Sequence, residues 1–410
     1  MALPRSARAL WAHWRSERRA LGQGLVALVL STAAGFLAGL TLAHLTDRLD
    51  RIPGLLVLIP AAVGMRGTIF GAIGARLGTA SAAGTLEPSL RRGGVLHRNV
   101  EVATISTLTS SIWVAALARI VSTAFGHPSV SIWGLVTISV VGGVLGSVVI
   151  LAVTVALSVR SFRRGWDLDS ISTPVVTALG DVATLPTLFA ASLLLEHPFA
   201  NALTSAACVL AAGAAVLRLT TTSAPEVRRI VLHMTGVIAF TPILDILAGS
   251  LLQSRETDLL AAPALLLLIP PFVSQAGALG GIFSSRMTSK IRLGVVEPRG
   301  WPRPVALADG ALVAAVGMLV FALIGVGGSV LATATHVPHP GVGPMLEETV
   351  LAGALTMPLV LAVGYALAVV ATRVGLDPDD HSVPVLTSVM DISGIAAILL
   401  TVTVVGLGVR

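Results

Sequence analysis

Apolar runs of about 20 residues recur along the whole chain, separated by short polar segments. Eleven can be marked, near 21–45, 53–80, 100–125, 130–159, 172–195, 200–217, 230–252, 262–285, 306–332, 349–371 and 383–408. Each is long enough to cross the roughly 30 Å of bilayer hydrocarbon as a helix. In lipid every backbone polar group must be satisfied internally, which a helix does within its own segment. The pattern predicts an all-α polytopic membrane protein with about eleven spans and little room for a globular domain outside the bilayer. The first run, Leu21 to Leu45, follows an Arg-rich arm and leads into further spans, so it reads as a retained helix and not a cleaved leader.

The runs repeat. PGLLVLIP at 53–60 returns as PALLLLIP at 263–270, a shift of 210 residues. The same shift pairs Gly67 with Gly277, Gly71 with Gly281, Arg76 with Arg286, Glu87 with Glu297 and Pro88 with Pro298. A second block pairs Asp167, Asp169, Ser172, Pro174, Thr177 and Asp181 with Asp377, Asp379, Ser382, Pro384, Thr387 and Asp391. Chance likeness between apolar segments would scatter Leu and Val matches and would not hold Asp, Pro and Arg in one register. Each copy holds five spans, and the run near 200–217 is an extra helix between them. Six spans then precede the second copy, so both copies start on the same side and are related by a pseudo-two-fold axis along the membrane normal. The predicted organisation is a basic arm over 1–20, one transmembrane repeat over 21–195, a linker helix and loop over 196–229, and a second repeat over 230–410. Transport sites in repeat-built folds lie near the midplane at the repeat interface.

Composition agrees. Of 410 residues 54% are hydrophobic and 12% charged, about half the charged share of a soluble domain. The formal charge of +6 sits in loops beside apolar runs and lacks interleaved aromatics, which argues for topology control and lipid headgroups and against nucleic acid. With the first residue in the cytoplasm, twenty loop and flanking Lys and Arg fall inside, from Arg5 to Arg373, and four fall outside: Arg48, Arg51, Arg255 and Arg410. The positive-inside rule therefore predicts an inner-membrane protein with its N-terminus cytoplasmic and its C-terminus outside. The single cysteine, Cys208, excludes an internal disulfide and a thiolate metal cage. There is no P-loop, HExxH, GxSxG or Cys–His cluster, so neither catalysis nor ATP-driven transport within the chain is expected.

Charges inside the spans carry the chemistry. Asp181 and Asp391 are register partners, each seven residues past a Pro, about 10 Å into the span. Two carboxylates at one depth on either side of an axis are costly unless something positive lies between them, and a divalent cation cancels both. Magnesium holds its waters tightly, so contact through a hydration shell is expected. The alternative is that each Asp pairs with a buried Arg or Thr for structure; Arg66 is one such partner, but its counterpart Ala276 rules out symmetric pairing. Thr177 and Thr387 lie four residues earlier on the same face, placed to serve a water shell or to bond their own backbone. Asp169, Asp379 and Asp380, with Asp167 and Asp377, either gather cations at the inner mouth or cap helix N-termini. Asp245 lies inside the seventh run, with Gly35 as its counterpart, and either pairs with Arg66 or serves a coupling ion. Gly67, Gly71, Gly74 and Gly78, matched by Ser274, Gly277, Gly281 and Ser285, form small-residue stripes for close helix packing.

At LIPAAVGMRGTIFGAIGARLGTASAAG and ISTPVVTALGDVATL the sequence resembles the MgtE-type magnesium transporter superfamily, closest to its two-repeat members, which include the animal magnesium solute carriers. The resemblance spans nearly all of both repeats. It implies that two five-helix units, which in MgtE dimerise in parallel around an axial pore, are here fused in one chain, so that the pathway needs one chain only. It places Asp181 and Asp391 on the family's pore aspartate. The family's Gly-Asn of the second helix is Gly67-Thr68 and Gly277-Ala278 here, and its Asp-Asn before the fifth is Asp169-Ser170 and Asp379-Asp380. The soluble regulatory domains of MgtE are not seen, so closure by a cytosolic magnesium sensor is not expected. The transported ion implied is Mg2+, with Mn2+ and Co2+ as the other divalent candidates and no organic cofactor. A proton-coupled carrier for an organic solute and a structural or lipid-handling membrane protein are the competing readings.

Overall fold

The structure, a computed structural model, describes residues 18–85, 91, 93–164, 168–221, 224–298, 301–375 and 382–405, with side chains at all of these except 18–27, 82, 158–159, 161–164, 168–177 and 405. The elements among the described residues are all helical: α1 Arg18–His44, α2 Thr46–Arg51, α3 Leu55–Ala82, α4 Val95–Ala124, α5 Ile132–Arg164, α6 Leu168–Ser192 with a 3-10 turn Leu193–Glu196, α7 Pro198–Thr221, α8 Pro225–Gln253, α9 Glu256–Ala261, α10 Pro263–Arg292, α11 Pro304–Ala334, α12 Val342–Val374 and α13 Val383–Val405. Ten of them, α3 to α8 and α10 to α13, are long and apolar enough to cross a membrane. Helix α1 runs 27 residues. Every predicted run falls on a helix. The short α2 and α9 were not predicted, and α12 begins seven residues earlier than expected, because Gly343, Pro344, Glu347 and Glu348 read as loop.

The repeat is written into the backbone as well as the sequence. Helices α2 and α9 have bounds shifted by 210 at both ends, as do α5 and α12. Gly126, after α4, has φ 70°, and its register partner His336, after α11, holds φ 58°, the one positive φ at a non-glycine among the described residues. A left-handed histidine costs about 1–2 kcal/mol; the shared turn imposes it where the first copy has a glycine.

The two repeats are interlocked and not merely side by side. Helix α1 of the first copy packs on α10 of the second, and α8 of the second packs on α3 of the first. Glycines make these crossings possible. A Cβ on Gly39 would lie 2.2 Å from the carbonyl oxygen of Leu267, and a Cβ on Gly249 would lie 2.3 Å from that of Val57. These are register partners on both sides, so one crossing is made twice about the axis. In lipid, helices associate through such close backbone approach, because apolar side chains gain nothing by leaving lipid for protein. Helices α6 and α13 complete a central group of six with α1, α3, α8 and α10. Helices α4, α5, α11 and α12 flank it, and α7 lies mainly on α4 and α5. Outward faces are apolar: Phe199 is 83% exposed, Leu210 74% and Val404 75%.

One ion cluster ties α11 to α10. Asp309 is fully buried and accepts from Arg286 at 2.8 Å and from Lys290 at 2.5 Å. Arg286 and Lys290 are one turn apart, so both cations reach one carboxylate. The Arg286 of the repeat signature is thus a structural clamp.

Gly249→Ala and Gly39→Ala are each expected to destabilise the protein, by about 1–3 kcal/mol from overpacking, while Gly213→Ala on α7, where a Cβ meets nothing within 4 Å, leaves thermal unfolding in detergent unchanged. Native melting of both crossing variants would contradict the interlock.

Candidate functional site

The six central helices converge on a small set of polar side chains. Helix α6 supplies Asp181 and α13 supplies Asp391, both partly buried within the bundle. Each is mid-helix, so each carboxylate is held at depth by a full turn of backbone on either side. Helix α10 supplies Ser274, whose hydroxyl donates to Asp181 Oδ2 at 3.3 Å. Ser274 in turn lies 2.7 Å, hydroxyl to hydroxyl, from Ser31 on α1. Helix α8 supplies Asp245, which is fully buried, with no hydrogen-bond partner for either carboxylate oxygen. Asp391 lies within electrostatic reach of both Asp245 and Asp181. Asp391 of α13 is therefore within electrostatic reach of an acid on α6 and one on α8, where the two repeats interlock.

Their environment lacks a compensating cation among the described residues. Arg66 is buried on α3, but its guanidinium donates to the carbonyl of Ala62 and runs beside Gly143 and Gly146 of α5. It forms no ion pair among the described residues, so the proposed pairing of Arg66 with Asp181 or Asp245 is not made. Ser388 on α13 lies near Asp245 but outside hydrogen-bonding geometry. A buried carboxylate that ionises without a partner costs several kcal/mol. No group of three or more His, Cys, Asp or Glu stands close enough to grip a bare metal ion directly among the described residues.

The remaining sequence candidates divide. Thr387 donates its hydroxyl to the carbonyl of Pro384 at 2.9 Å, three residues back on its own helix. Its methyl meets Gly277, where a Cβ would lie 3.0 Å away. The small-residue position of α10 is thus used for packing α13, as expected. Asp169 is placed on the first turn of α6, with its side chain outside the described residues, as is the side chain of Thr177. Asp167, Asp377, Asp379 and Asp380 lie outside the described residues altogether.

Three acids escaped the sequence reading. Glu348 on α12 is fully buried; Thr401 on α13 donates to its Oε1 at 2.6 Å, and its Oε2 is without a partner. Its counterpart in the first copy is Ile138, a contrast that would have marked it had α12 been extended past its Gly-Pro start. At the far end of the bundle from the start of α1, the short helices α2 and α9 bring Asp50 toward Glu256. Burial first, and then the charge of Asp50, push the Glu256 carboxyl above its ordinary value, while the Gln253 amide, donating at 2.5 Å, partly offsets this. That end thus carries Asp50 and Glu256 among Arg48, Arg51 and Arg255.

Comparison with known proteins bears on the same register. The family model MgtE, described as a divalent cation transporter, matches residues 59–191 and again 269–401. The second match starts and ends 210 residues after the first, in step with the repeat. Solute carrier family 41 member 3 of Mus musculus is 24% identical over 369 residues, covering 85% of this chain and 75% of its own length. The Rattus norvegicus protein of that name is 24% identical over 374 residues, covering 85% and 79%. No solved structure matches significantly. The two matched segments together take in more than half of the chain and hold the helices that carry Asp181 and Asp391, so this protein is a membrane transporter and not an enzyme, and it belongs to the MgtE family of divalent cation transporters.

Proposed function

We propose that the protein carries hydrated Mg2+ across the membrane along a pathway between the two repeats, past the carboxylates of Asp181 and Asp391. The observation that carries this reading is a pair of register-matched aspartates, brought to one place by the interlock, with no cationic side chain paired to them among the described residues. Intramembrane acids that persist without a counter-ion call for a mobile one. A divalent cation supplies two positive charges to two carboxylates in a single step.

Retention of the water shell follows from the chemistry of the ion. Magnesium dehydrates reluctantly and demands octahedral geometry, which its own waters already provide. Carboxylates and hydroxyls around such an ion accept from its waters. Asp181, Asp391 and Ser274 offer that kind of surface. Outer-sphere contacts hold more loosely than direct ligation, so the ion can leave. Manganese and cobalt are the cations to test beside magnesium. The basic loops support a cytoplasmic start of α1, with Asp50 and Glu256 then on the outer side beside Arg48, Arg51 and Arg255. The pathway lies within one chain, because the axis that a dimer would provide is internal.

Asp181→Asn and Asp391→Asn are each expected to lower divalent flux into reconstituted vesicles on the order of tenfold or more, with native thermal melting. Native flux in both would move the site elsewhere; uptake of an organic solute driven by protons, with no divalent flux, would favour the competing carrier reading. The double variant is expected to lose little binding beyond either single one, since both carboxylates serve one ion. Calorimetric titration of the four proteins decides this, and additive losses would mean two separate ions. Co-expression of an Asp181→Asn chain with an Asp391→Asn chain is expected to stay inactive; recovered transport would mean a pathway formed between chains.

A further inference from the structure

The two halves of the site are not alike, and the difference is a swap. In the first half Asp181 is served by a hydroxyl, Ser274 of α10. The register partner of Ser274 is Gly64 of α3, which has no side chain to offer Asp391. What stands there is the carboxylate of Asp245: a Cβ on Gly64 would lie 2.6 Å from Asp245 Oδ2. The position equivalent to Asp245 in the first half is Gly35, pressed so tightly on α10 that a Cβ would lie 2.4 Å from Pro271 Cα. So the first half has glycine on its first helix and a hydroxyl on the facing second helix. The second half has an acid on its first helix and glycine on the facing second helix, and the acid fills the space the missing hydroxyl leaves.

We infer that Asp245 is a specificity-determining third carboxylate of the cation site, one that acts through Asp391 and holds the divalent ion off the two-fold axis, toward the second repeat. The inference rests on the pathway reading above. Asp245 is fully buried, so its role here is through its field and not through ligation. It sets the field behind Asp391, whose surroundings already include the charge of Asp181. In a low-dielectric interior a charge at that range is screened little. Neither carboxylate oxygen of Asp245 has a hydrogen-bond partner, and Arg66, the one buried arginine nearby in sequence register, is turned to α5. The countercharge for Asp245 is the passing ion itself. One divalent ion against three carboxylates leaves the loaded site net negative, which favours doubly charged ions over singly charged ones. The asymmetry also breaks the equivalence of the two pore aspartates: Asp391, backed by a second acid, becomes the stronger pole and Asp181, backed by Ser274, the weaker.

The test compares Asp245→Asn with native protein by Mg2+-dependent thermal shift, by Mg2+ flux in vesicles, and by competition between Mg2+ and K+. Without divalent cations, Asp245→Asn is expected to melt higher than native, because a buried carboxylate with neither oxygen hydrogen-bonded has been removed. Added Mg2+ is expected to stabilise it far less than it stabilises native protein. The concentration for half-maximal flux is expected to rise about tenfold with the maximal rate kept, and K+ is expected to compete better. The symmetrising variant Gly64→Ser with Asp245→Gly, which copies the first half onto the second, is expected to show the same weakening. A purely structural Asp245 would instead melt lower in both conditions, with half-maximal concentration unchanged; that result, or native Mg2+ affinity in both variants, overturns the inference. Asp181→Asn and Asp391→Asn run alongside separate the two readings. If they lose Mg2+ binding while Asp245→Asn keeps it, only this inference fails; if all three keep it, the pathway reading fails as well.

Discussion

The structure depends on a backbone contact made twice. Gly39 lies on the carbonyl of Leu267, and Gly249 on that of Val57, at distances no side chain allows. These crossings exchange the first helix of each repeat onto the second helix of the other. Without them the repeats would be two bundles with separate cores. With them, α6 and α13 face a shared centre, and acids far apart in sequence stand together. In a bilayer this is the available route to a tight interface, because lipid competes with every apolar side chain and close packing of small residues must do what hydrophobic burial does in water.

Placing carboxylates in that centre is costly, and the fold leaves the cost uncompensated among the described residues where compensation was at hand. Elsewhere the chain shows how it neutralises a buried acid for structure: Asp309 takes both Arg286 and Lys290. Among the described residues Asp245 has no such partner, and Asp181 has one hydroxyl at 3.3 Å. The contrast within one protein separates acids that fasten helices from acids that await an ion. It also accounts for Arg66, a buried cation that the chain keeps pointed at α5 and away from the carboxylates.

Much of this was legible in the sequence, because a constant offset of 210 residues carries structural information that apolar runs alone do not. It located the five-helix unit, the odd linker helix and the matched Asp181 and Asp391, and it extends to backbone detail in Gly126 and His336. What the register could not show is which helix of one copy meets which helix of the other. Asp245 stood out as an acid in an apolar run, but its place beside Asp391 follows from α8 crossing α3 at Gly249 and Gly64, and such glycines look like any others in the sequence. Glu348 was missed for a local reason: its helix begins with Gly and Pro beside two glutamates, a composition that reads as loop. Thr387 was visible as a candidate, while the bond of its hydroxyl to Pro384 is a matter of rotamer.

The central claim is that one divalent ion rests between Asp181 and Asp391 with its waters in place. Manganese, a paramagnetic stand-in for magnesium, reports this directly when bound to the native protein. Pulsed electron paramagnetic resonance counts the exchangeable water protons on the ion, and titration gives its stoichiometry. The account expects one such Mn2+ per chain, displaced by Mg2+, with water protons matching a full six-water shell. A dehydrated ion ligated directly by carboxylate oxygens, or no Mn2+ that Mg2+ displaces, would contradict it.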